Sequence, residues 1–119
     1  MTAKECEQLT EGLFEAMKWQ LKNAVNLTKI QMLRYSTGDI TDLRLLHDTL
    51  RDRVVEVGRL RTFMTTAYRF AHLEASESEE YKDFLAAWEE ADRYIFGSYT
   101  ETRDTFNTVY KSREQGSDS

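Results

Sequence analysis

The chain contains no proline, and only five of its 119 residues are glycine. Turn-rich β architectures and collagen-like repeats need both, so composition argues against them. A single cysteine, Cys6, rules out an intrachain disulfide framework and is compatible with a reducing compartment. No apolar run reaches the roughly 18 residues that a membrane-spanning helix needs. The opening MTAKECEQLTEG is polar and acidic and lacks the apolar stretch of a secretory signal, so a cytoplasmic protein is expected. There is no His-Glu-x-x-His, no Glu-x-x-His, no calcium loop and no glycine-rich phosphate loop. The two histidines, His47 and His72, would stand about 37 Å apart on one helix, too far to share a metal. The expectation is therefore a chain with no metal and no cofactor, and no catalytic residues.

What is present is helical period. From Leu43 to Ala71, Leu43, Leu46, Leu50, Val54, Val57, Met64, Tyr68 and Ala71 recur on one face at 100° per residue. Two further segments share that period. In the first, Cys6, Leu9, Leu13, Met17, Ala24, Leu27 and Tyr35 define the face. Leu21, Val25 and Met32 widen it on one side, and Ala16 and Ile30 on the other. In the last, the face is Tyr81, Phe84, Leu85, Trp88, Ala91, Ile95, Tyr99, Thr102, Phe106 and Val109. Ser36-Thr37-Gly38-Asp39 separates the first two segments, with Gly38 suited to the position after a helix C-terminus and Asp39, or else Thr41, to the next N-cap. Ser76 with Glu79 reads as a capping box after a short polar linker, with Ser78 as the other choice.

The fold class is accordingly all-α: three long antiparallel helices over about 3–36, 40–73 and 77–111. They form a single domain, 1–111, followed by a flexible polar tail, 112–119. Each helix would be about 50 Å long, which leaves much surface for the volume. Each also carries large apolar residues on a second face: Trp19 and Leu33 on the first helix, Leu45, Phe63 and Phe70 on the second. Partner helices explain these better than chance exposure does, so a helical-bundle or coiled-coil dimer is expected, with those five residues at its interface. Gln20, Asn23 and Gln31 interrupt the first face, where buried polar residues serve to fix register or oligomeric state.

Charge is sorted by segment. The first helix places Glu5, Glu7, Glu11 and Glu15 before Lys18, Lys22, Lys29 and Arg34, an order that complements the helix dipole. Glu15 and Lys18 have the spacing of an i,i+3 pair. The middle helix has six arginines and no lysine, and residues 74–111 hold ten acidic residues against four basic ones. An antiparallel turn near residues 74–75 brings Arg61 level with Trp88 and sets Asp92 one turn from both Arg53 and Arg61. That constellation reads first as an ion pair fixing register, stacked on Trp88. A small-anion site built from Arg53, Arg61, Trp88 and Asp92 is the sharper alternative. The aromatic residues of the last two helices suit an ordinary core better than a ligand groove, and Cys6 suits a packed thiol.

Function follows only at the level of class. A non-enzymatic interaction or assembly protein, regulatory in role, fits best: self-associating, and offering a charged, aromatic-bearing surface to a protein partner. Two alternatives stand beside it. One is a nucleic-acid-directed regulator, acting through the middle-helix arginines or through acidic mimicry of a phosphate backbone. The net charge of −5 makes direct nucleic-acid contact the weaker form. The other is a small-ligand-binding bundle.

Overall fold

The computed structural model describes residues 2–71 and 79–117, apart from the side chains of residues 3, 6, 7, 10, 68, 70, 71 and 114–117. Three helices account for it: α1 (Ala3–Tyr35), α2 (Ile40–Ala71) and α3 (Glu79–Ser117). They pack up-down-up into a rod of 71 × 21 × 21 Å. The capping box at Ser76, the linker around it and His72 lie outside the described residues, as do the side chains of Cys6, Tyr68 and Phe70.

Local chemistry sets the helix ends. Thr2 caps α1, its Oγ1 accepting the Glu5 N–H at 3.1 Å. At the first turn the Asp42 N–H donates to Asp39 Oδ1 at 2.9 Å, and the Leu43 N–H donates to the Asp39 carbonyl. Asp39, not Thr41, is therefore the N-cap of α2. Gly38 does not take the left-handed conformation expected after a helix C-terminus: no described residue has positive φ. Its glycine character answers a steric demand instead, because a Cβ built there would fall 2.6 Å from the Asp42 Cβ. The third helix also outruns the sequence reading, continuing past Lys111 to Ser117. Arg113, Glu114 and Gln115 are good helix formers and no proline stops them.

The core follows seven-residue steps. Phe14, Leu21 and Thr28 on α1, Leu43, Leu50, Val57 and Met64 on α2, and Phe84, Ala91 and Ser98 on α3 are all buried. Residues of α1 and α3, which run parallel, meet at a constant offset. Phe14 touches Phe84 with ring centroids 5.4 Å apart, and Thr102 Oγ1 donates to Met32 Sδ seventy residues away in sequence. Seventy is a multiple of seven, so each layer of α1 meets the matching layer of α3, with α2 filling the third side. Buried positions recurring at this interval keep each helix's apolar stripe turned toward the other two along the length of the bundle. Each large side chain removed from water here contributes about 1.5–3 kcal/mol.

The expected face of α2 holds: Leu43, Leu46, Leu50, Val57 and Met64 are buried and Val54 is half-buried. The first helix is rotated from expectation. Phe14, absent from the expected face, is 1% exposed, whereas Leu9, Leu13 and Leu27 point outward. Gln20 and Asn23, read as core interruptions, are exposed too; only Gln31 is half-buried. Because α1 is apolar over two arcs, an averaged wheel points between them, and only packing against α2 and α3 selects the inner one. On α3, Ser98 joins the buried set unforeseen, and Val109 is exposed.

Candidate interaction surfaces

The residues singled out at the α2–α3 seam divide into two structures. Arg61 lies with its guanidinium 4.5 Å from the centroid of the Trp88 ring, the stacking that its level on α2 implied. Trp88 is held from the other end, its Nε1–H donating to the Val57 carbonyl at 2.7 Å. Arg53 turns the other way, toward α1. Its Nη1 donates to Thr28 Oγ1 at 2.9 Å and to Gln31 Oε1 at 2.6 Å. Thr28 in turn donates to the Ala24 carbonyl at 2.7 Å and has no exposed surface.

The ion pair expected between Asp92 and these arginines is not formed among the described residues. Asp92 is half-buried on α3, and the structure does not bring the set of four together. Arg53 is a half-buried cation resting on two neutral acceptors. Burial pushes its guanidinium below the usual arginine value, partly offset by the nearby Glu56 carboxylate. A guanidinium nevertheless stays charged at every accessible pH.

Sequence reasoning considered His47 only as a metal ligand and missed its packing role. Its ring sits 5.3 Å from Tyr99 and is stacked 5.9 Å from Phe106, which itself stacks on Tyr110. The His47 Nδ1–H donates to Asp48 Oδ1 at 3.0 Å. That hydrogen bond, with Arg51 and Arg44 nearby, holds the Asp48 carboxyl below its ordinary value of 3.8. The one available signal was position: residue 47 borders the buried Leu46 on the side where α3 brings its aromatics.

Two open grooves run along the rod. One, of about 810 Å³, lies between α1 and α3 over Leu21, Val25, Ala91 and Ser98, with Lys22 and Lys29 on one wall and Glu90, Arg93 and Glu101 on the other. Three cations and two carboxylates line it, with both signs on the α3 wall, which suits neither a simple anion nor a simple cation. The other, of about 530 Å³, lies between α1 and α2 and is edged by Leu27, Leu60 and Phe63. Arg53 contributes to this second groove, while Arg61, Trp88 and Asp92 line neither. Among the described residues no cluster of histidine, cysteine, aspartate or glutamate has the arrangement to hold a metal. No helix there is long and apolar enough to cross a membrane.

The largest unexplained feature is apolar. Trp19, Leu33, Leu45 and Phe63, all assigned to a second face, are more than half exposed, and Leu9 and Ile30 join them. Lys18 meets Glu15 at 2.9 Å, an i,i+3 bond that raises the lysine above its usual value, and Arg51 lies between Asp48 and Asp52. Fold and surface together define an all-α three-helix bundle with large apolar side chains exposed on its outer face. No family model, curated protein or solved structure matches the chain.

Proposed function

We propose that the chain is a non-enzymatic helical interaction protein. It self-associates, most simply as a dimer, and presents its charged, aromatic-bearing exterior to a protein partner in an assembly or regulatory role within the cytoplasm. One observation carries this reading. The outer arc of α1 exposes Leu9, Trp19, Ile30 and Leu33, each by more than half, and α2 adds Leu45 and Phe63. Arcs of this kind mark surfaces that other helices cover.

Phosphate contact by the α2 arginines has less support. Arg53 is tied to α1, Arg61 is stacked on Trp88 and Arg51 is engaged by two aspartates, so half of the six arginines are already committed. A ligand-binding bundle draws support from the two open grooves, but of the four residues proposed to line such a site only Arg61 and Trp88 meet, and neither lines a groove. Light scattering on a size-exclusion column, run at low and high salt, tests the reading. A species of twice the 14.0 kDa chain mass, or a larger one, is expected. A monomer at every concentration and salt would overturn self-association.

A further inference from the structure

The outer face of α1 has a composition that specifies its own occupant. Its apolar members are Leu9, Leu13, Trp19, Leu27, Ile30 and Leu33, with Leu33 85% exposed. The polar residues between them, Gln20, Asn23 and Asn26, are exposed and uncharged. Charge on this arc is confined to its ends, Glu5 near the N-terminus and Arg34 near the C-terminus, both exposed. Along the edge beside α3 the exposed charges run Lys4, Glu11, Glu15, Lys22, Lys29, with Glu15 also meeting Lys18, Lys22 lying over Trp19 and Lys29 over Tyr94 within the chain.

A surface that is negative at one end, neutral in the middle and positive at the other complements a reversed copy of itself. We propose that α1 pairs antiparallel with α1 of a second copy of this chain, about a two-fold axis passing between Trp19 and Gln20. The proposal rests on the self-association put forward above and specifies its surface and register.

In that register Glu5 faces Arg34 of the other copy, and Leu9 faces Ile30. Antiparallel helices related by a two-fold bring like edges together, so Glu11 comes beside Lys29 and Glu15 beside Lys22. Trp19 lies over Gln20 at the axis. Gly12 faces Leu27, which accounts for a glycine that the single chain does not require. A Cβ built at Gly12 meets no atom within 4 Å, and glycine inside a helix is less favourable than alanine. Removing a side chain there lets the partner's leucine approach the backbone. A parallel pairing would set Glu5 against Glu5 and Arg34 against Arg34, with repulsion at both ends.

The test uses cysteine cross-linking of the full chain in a Cys6→Ser background, with helix content checked by circular dichroism. Under oxidation, Gln20→Cys alone and the double variant Leu9→Cys/Ile30→Cys are expected to run as covalent dimers. Leu9→Cys alone and Ile30→Cys alone are expected to stay uncross-linked. Residues 9 and 30 lie about 30 Å apart on one helix, so no bond can form within a chain. Cross-linking of Leu9→Cys and Ile30→Cys each with its own kind would mean parallel pairing and overturn the proposal. A dimer by light scattering with no cross-link in any variant would place the contact on another face, overturning this register while leaving self-association intact. A monomer by light scattering would overturn both.

Discussion

Thr28 is a hydroxyl with no exposed surface, and it accepts a hydrogen bond from a cation that has no carboxylate partner among the described residues. Replacing it with valine keeps the volume and removes that acceptor. A hydrogen bond to a charged group is worth about 1.5–3 kcal/mol. Arg53 is only half-buried and keeps Gln31 and some water, so the lower part of that range applies, about 1.5–2 kcal/mol for Thr28→Val.

The reverse change should be mild. In Arg53→Met the Thr28 hydroxyl still donates to the Ala24 carbonyl, Gln31 can reach solvent, and the methionine covers the same apolar edge. A cost of about 0–1 kcal/mol is expected, because removing a half-buried charge relieves its desolvation. Once the arginine is gone, Thr28→Val should cost less than about 0.5 kcal/mol, since no cation is left short of an acceptor. Urea unfolding of the four proteins at one fixed chain concentration, followed by circular dichroism, measures the cycle. Equal costs for Thr28→Val in both backgrounds would refute the account.

Three further outcomes are expected. Phe14→Ala should destabilise by about 3–5 kcal/mol, the usual cost of emptying a core phenylalanine, while Leu13→Ala changes monomer stability by less than about 1 kcal/mol; thermal melts of the two variants at a chain concentration low enough to be monomeric check which arc of α1 is buried within the chain. Asp39→Ala removes the N-cap of α2 and should cost about 0.5–2 kcal/mol, with Asp39→Asn largely restoring it, read from denaturant midpoints. Asp48 has a carboxyl pKa lowered by folding, so its contribution to stability is complete above the unfolded value near 3.8 and is lost as pH falls through the lower folded value. The melting temperatures of wild type and Asp48→Asn should therefore differ at pH 6 and converge in strong acid.

The helix count, the break at Ser36–Asp39 and the inner face of α2 were all legible, because one apolar stripe and one short polar break leave a single solution. The inner face of α1 was not. Leu9, Leu13 and Leu27 are as hydrophobic as Leu21 and sit at equally good helical spacing, so intrinsic pattern cannot rank the two arcs. What ranks them is the shape of the α2–α3 seam, which accepts Phe14 against Phe84 and Tyr81.

The level of Arg61 with Trp88 was legible from antiparallel geometry alone, whereas the direction of Arg53 was not. Thr28 and Gln31 are neutral, and no charge rule points a guanidinium toward them in preference to Asp92. His47 escaped for a related reason: a histidine wedged between rings leaves no spacing motif.

The constant offset between α1 and α3 limits how this molecule could be lengthened or shortened. Inserting or deleting seven residues in all three helices at the same level would slide every layer by one repeat and leave each knob facing an equivalent hole. The rod would change by about 10 Å with its seams intact. An insertion that is not a whole number of repeats, or one in a single helix alone, would shift the layers out of register and turn buried positions toward water. Length in this architecture is therefore quantised, and related chains built on the same plan are expected to differ by whole repeats taken from all three helices together.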